Sequence, residues 1–105
     1  MSLPTTTRVN SAMLKQHIGE TVRFVGKILE HNGSTRAIMS ASDKGQVEIV
    51  MSPSSQYGTQ FVEVIGTVNP DMSITEMTSM DLGNEFDFDT YDEVVKKMQR
   101  FPNVF

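Results

Sequence analysis

The chain has 105 residues, 38% hydrophobic and 21% charged, a composition that supports one folded domain and excludes disorder throughout. Cysteine is absent, which excludes a disulfide framework and thiolate zinc sites. The formal net charge is −4, with most of the acidic excess beyond residue 80; this argues against phosphate-driven nucleic-acid binding by the chain as a whole, while leaving room for a local basic patch.

Residues 1–7 lack the long apolar run of a signal peptide. No stretch approaches the ~20 apolar residues that span a bilayer. The expectation is a soluble intracellular domain. Asn10-Ser11 then precedes Met13, Leu14, His17 and Ile18, with Gly19 behind them. Asn10 or Ser11 can accept an orphan backbone N–H and Gly19 suits a left-handed stop, so a short N-terminal helix of about two turns is predicted.

From Thr21 the hydrophobic period changes to two. Val22, Phe24 and Ile28 alternate with Arg23, Val25, Lys27 and Leu29, which predicts a strand, and Gly26 inside it predicts a bulge or sharp bend. Asn32-Gly33 is a hairpin turn, 36–41 a second strand, and Asp43-Lys44-Gly45 a further turn. Residues 46–51 form a third strand with Val47, Ile49 and Met51 on one face. Residues 52–59, with Pro53, Gly58 and three serines, read as a loop. A fourth strand is expected over 61–68, again containing a glycine, Gly66; Asn69-Pro70-Asp71 turns the chain, and 73–80 forms a fifth.

Five strands with a bend in the first fit a closed barrel better than an open sheet, because closure removes exposed edges. The expected fold class is therefore all-β with flanking helices: a five-stranded OB-fold barrel, a short N-terminal helix and a C-terminal interaction helix. An SH3-like barrel has a similar strand count. The usual OB helix between strands three and four has no clear counterpart in 52–59. In domain terms, 1–19 is an N-terminal extension, 20–82 the barrel, and 83–105 a linker and oligomerisation helix.

The last segment breaks at Leu82-Gly83-Asn84. Asp87 and Asp89 are candidate N-caps, with Thr90 and Glu93 as an alternative capping box. Tyr91, Val94, Val95, Met98 and Phe101 then recur at three- and four-residue spacing, Lys96, Lys97 and Arg100 complement the negative end of the helix, and Pro102 stops it. Such a stripe packs either on its own barrel or on partner helices. Positions 91, 94, 98 and 101 follow the alternation of a coiled-coil seam and Val95 widens it to a bundle face. A helix this short is marginal in water alone. The expectation is that this ridge is left uncovered by its own fold and serves as the partner-binding face.

No catalytic set is legible. His17 and His31 stand in no metal-binding spacing, no serine sits in G-x-S-x-G, and the seven glycines form no phosphate-binding pattern. The acidic group Asp81, Glu85, Asp87, Asp89, Asp92 and Glu93 does not follow EF-hand spacing. No enzyme, metal or cofactor is expected. Arg23, Lys27 and Arg36, with Lys44 near them, are the candidate nucleic-acid contacts, because an OB barrel presents its groove there. The second and third strands carry no Phe, Tyr or Trp to stack bases; Phe24, Phe61 and Tyr57 are the remaining aromatic candidates, and Phe24 is better used in the core. Direct DNA contact by this chain is expected to be weak or absent.

The residues Leu3-Pro4, Arg8-Val9-Asn10, Met13-Leu14, Phe24-Val25-Gly26, Val47-Glu48, Val62-Glu63-Val64-Ile65-Gly66, Phe86-Asp87, Tyr91, Glu93, Val95-Lys96 and Phe101-Pro102 together resemble, in order and spacing, the small subunit of replication protein A. That family belongs to the eukaryotic single-stranded DNA-binding heterotrimer. The resemblance implies a nuclear OB-fold subunit for DNA replication, repair and recombination. It also implies a C-terminal helix that joins one helix from each of the large and middle subunits, which make most of the DNA contacts. Carried over, the bundle face is Tyr91, Val94, Val95, Met98 and Phe101. A stand-alone single-strand binder and a telomere-capping OB assembly are the alternatives.

Overall fold

The computed structural model describes residues 7–33 and 35–100, apart from the side chains of Gln99 and Arg100. Phe101 and Pro102, singled out above, lie outside the described residues, as do Leu3 and Pro4.

Period-two sequence becomes period-two burial. Strand β2 (Thr21–Asn32) turns Val22 and Phe24 inward, β3 (Arg36–Ala41) buries Ala37, Met39 and Ala41, and β4 (Gln46–Val50) buries Val47 and Ile49. Strand β5 (Phe61–Val68) contributes Val62, Val64 and Val68, and β6 (Ile74–Gly83) contributes Ile74. These side chains form one continuous core with Val9 and Leu14. Residues 51–60 connect β4 to β5 without a helix.

β2 is long enough to serve both halves of the barrel. Its residues 21–27 pair antiparallel with β5, and its residues 26–32 pair antiparallel with β3. β4 pairs with β3, β5 with β6, and a short parallel contact of Ile49 and Val50 with Ile74 and Thr75 closes the ring. This is the OB arrangement.

The structure refines the reading of Gly26. The irregularity in β2 falls between Ile28 and Glu30, not at the glycine. Gly26 instead sits where the strand passes from one neighbour to the other, and a Cβ there would lie 2.8 Å from Met39 and Phe24 atoms. The glycine is needed for close approach.

Three local expectations change. The N-terminal turn is a 3-10 helix, Ser11–Gln16, and Asn10 makes no side-chain cap bond. The Asp43 carboxylate accepts the Ser11 and Ala12 N–H groups and the Ser11 hydroxyl across the fold. The fifth predicted strand continues to Gly83 (φ +94), three residues past its expected end. A further strand, β1 (Thr7–Val9), lies parallel to β2 in the register Thr7 with Val22 and Val9 with Phe24.

Candidate protein-interaction site

The C-terminal helix, α1 (Phe88–Arg100), begins where expected. Asp87 caps it, its carboxylate accepting the Thr90 N–H at 3.0 Å and the Thr90 hydroxyl at 2.7 Å; these bonds hold the Asp87 carboxyl below its ordinary pKa.

α1 lies on the outside of the barrel, and three features seat it. The first is aromatic. Phe61, on the outward face of β5, meets Phe86 and Phe88 with ring centroids at 5.8 and 5.0 Å, and Phe86 meets Tyr91 at 5.6 Å. The second is Val95, which is wholly buried.

The third is polar. Asp92 is buried, and its Oδ1 accepts from the Asn10 amide at 3.0 Å and the Ser42 hydroxyl at 2.7 Å. Its Oδ2 pairs with Lys96 at 3.0 Å. Burial alone would raise the Asp92 pKa, but the bonds from Asn10, Ser42 and Lys96 outweigh it and hold the carboxyl below its usual value. Asp92 thus ties α1 to the start of the 3-10 helix and to the end of β3.

The expected uncovered ridge is therefore corrected: its two edges have different fates. Val95 is taken up by the chain's own barrel and Tyr91 is partly covered, its phenol pushed up to about 12 chiefly by burial, with Arg8, Glu63 and Arg23 acting on it. Val94 is 38% exposed, and Met98 is half-buried with its sulfur 3.8 Å from an Arg8 guanidinium nitrogen. Among the described residues, Val94 and Met98 carry the open apolar flank.

The candidate nucleic-acid residues are not brought into one site. Arg23 pairs with Glu63 at 3.3 Å, beside α1, and Arg36 pairs with Glu48 at 2.6 Å on the β3–β4 face. Lys27 lies on a groove of about 430 Å³ with Leu29, Lys44 and Phe86, but Asp87 and Asp89 line the same groove and Asp89 reaches Lys44 at 3.7 Å. Phe24 is in the core, Phe61 is buried under Phe86 and Phe88, and Tyr57 donates its hydroxyl to Glu76. Burial and then Glu76 raise the Tyr57 pKa far above its ordinary value.

Sequence reasoning did not find Asp92, because an aspartate in the first turns of a helix is ordinarily explained by the helix dipole. Nor did it find the rings of Phe86 and Phe88 as the seat of the helix. Their F-x-F spacing, with the Asp87 cap between the two rings, was the available signal. Among the described residues no group of three or more His, Asp or Glu is placed to hold a metal ion, and no helix is long and apolar enough to cross a membrane.

A closed OB barrel carrying a C-terminal helix docked on its outside, with an open apolar flank on that helix, defines the class: an OB-fold protein with an externally seated C-terminal helix. Comparison with known proteins narrows this. The family model described as Replication factor A protein 3 matches residues 1–105, and the chain belongs to that family. Replication factor A protein 3 of Schizosaccharomyces pombe is 29% identical over 103 residues, covering 95% of this chain and 94% of the relative. A Replication protein A 14 kDa subunit of Arabidopsis thaliana is 33% identical over 90 residues, covering 84% of this chain and 81% of the relative. A chain in the structure of U. maydis Replication protein A bound to single-stranded DNA superposes with a TM-score of 0.92 at 37% identity, over 100% of this chain and 98% of that one.

Proposed function

We propose that this chain is the structural small subunit of a heterotrimeric, single-stranded DNA-binding complex of the replication protein A type, and that it acts in the nucleus in DNA replication, repair and recombination. It is not an enzyme. The barrel, 20–82, is the platform; the segment 83–105 carries α1, which joins one helix from each of the large and middle subunits. The observation that carries this reading is the half-docked helix: Val95 and Asp92 fix α1 on the barrel while Val94 stays 38% exposed. Val94 and Met98 are the partner-facing side chains among the described residues. Tyr91 and Val95 orient the helix from below.

Most contacts with DNA fall to the partner subunits. The carboxylates opposite Arg23 and Arg36 support this division, since a paired arginine gives a phosphate little net attraction. Co-expression with the large and middle subunits tests the assembly. The wild-type chain is expected to co-purify in a ternary complex, and Val94→Asp is expected to reduce its recovery sharply while the barrel stays folded. Undiminished recovery contradicts the reading.

Lys27 and Lys44 on the groove beside Phe86 favour a second reading, a stand-alone single-strand binder. Titration of the isolated chain with labelled oligonucleotide at two salt concentrations separates the two. Tight, steeply salt-dependent binding favours the second.

A further inference from the structure

The open flank of α1 has a companion on the sheet. An α-helix turns about 100° per residue. With the line between Asp92 and Val95 facing the barrel, Tyr91, Met98 and Val94 fall in turn to one side and Lys96 to the other. The contacts agree with that geometry. The Lys96 side is tied through Asp92 to Asn10 and Ser42. On the opposite side, Met98 lies 3.8 Å from an Arg8 guanidinium nitrogen, and Arg8 stands beside Arg23 in the β1–β2 register.

Arg23 and Glu63 also line a trough of about 400 Å³ with Ile65, Thr78, Ser79 and Met80, on the outward face of β5 and β6. Met80 is 56% exposed. Farther along β6, Met77 is 63% exposed with its sulfur 4.0 Å from the Thr21 hydroxyl, and it has no partner on β5 because the register slips there: Ile65 pairs with Thr78 and Gly66 with Glu76. Through Arg8 and Arg23 the apolar flank of the helix adjoins this strip of the sheet, and the two border one groove. Its floor is electrically self-compensated by the 3.3 Å pair of Arg23 and Glu63.

Resting on the reading that α1 joins partner helices, we propose that one partner helix lies in this groove and packs on the barrel as well as on α1, touching Met80, Thr78 and Ile65 along with Val94 and Met98. The continuity of the two walls selects a helix, since a rod laid beside α1 on that side covers both at once. The neutral floor selects an apolar stripe on that helix, with no charge directed inward. Unbranched methionine side chains adapt to such a stripe without demanding one shape.

Two experiments test this in the complete ternary complex. In the first, Met80→Asp and Thr78→Arg on the sheet wall are compared with Val94→Asp on the helix wall. Each sheet-wall variant is expected to lower recovery of the complex by about tenfold or more. Normal recovery with both sheet-wall variants, while Val94→Asp disrupts, overturns the two-walled groove and leaves the helical bundle standing. Normal recovery with all three overturns the bundle reading as well.

Because a charge can unfold as well as unbind, the second experiment uses Met80→Cys. The chain has no cysteine of its own, so a thiol reagent reports on that one position in this subunit. Labelling at 80 is expected to slow by about tenfold or more on assembly, when the site is covered. An unchanged rate contradicts the proposal, whatever the charged variants do.

Discussion

Asp92→Ala is the sharpest probe of how α1 is held. The substitution removes the acceptor for two donors that have no access to water: Asn10 is 2% exposed and Ser42 4%. A buried donor left without a partner costs about 1–3 kcal/mol, and water entering the space left by the carboxylate recovers part of that. Loss of the Lys96 pair adds little, because Lys96 is more than half exposed. The expected penalty is about 2–4 kcal/mol. It falls on docking of the helix, since both orphaned donors belong to the surface on which α1 sits. Amide hydrogen exchange resolves this by residue: amides of α1 are expected to exchange roughly 30- to 1,000-fold faster, as about 1.4 kcal/mol is a factor of ten. Asp92→Asn keeps one oxygen acceptor for Asn10 and Ser42 but loses the charge and the oxygen that faces the exposed Lys96, so its penalty is expected to be about 1 kcal/mol. Exchange in α1 that stays within threefold of wild type for Asp92→Ala refutes the claim that this carboxylate anchors the helix.

Further outcomes follow from the same geometry. The Asp92 pKa is depressed in the folded state, so its stabilisation is complete above the ordinary aspartate value of about 3.9 and is lost as pH falls through the lower folded value. In acid titrations of stability, Asp92→Asn is therefore expected to flatten the loss below about pH 4. Gly66→Ala places a Cβ against the Thr75 carbonyl oxygen and 2.9 Å from an Ile74 methyl, and a denaturant midpoint is expected to report a loss of about 1–3 kcal/mol. Asp43→Ala removes the acceptor for the Ser11 and Ala12 N–H groups, a capping loss of about 0.5–2 kcal/mol measurable in the same way.

Most of the barrel was legible because strand burial repeats every two residues, and Val22 with Phe24 or Val47 with Ile49 betray it directly. Its turns were legible because Asn32-Gly33 and Asp43-Lys44-Gly45 carry residues suited to tight backbone angles. β1 was not, since Thr7–Val9 is three residues long and owes its state to pairing with β2, a tertiary contact without local pattern. The irregularity at Leu29 was hidden behind the more conspicuous Gly26. In the helix, periodicity reported that Tyr91, Val94, Val95 and Met98 share an apolar arc. It could not report that the arc straddles two environments. Only the positions of Phe61 and Asn10, far away in sequence, decide that Val95 turns inward and Val94 outward. The charges of Arg23 and Arg36 were legible, whereas the carboxylates that neutralise them come from other strands.

The mass of the particle purified after co-expression with the large and middle subunits tests the account most directly. A 1:1:1 assembly that forms with the wild-type chain and fails with Val94→Asp is the expected outcome. A chain that runs alone at its own 11.7 kDa beside both subunits contradicts the account, because the exposed flank of α1 would then have no helix to meet.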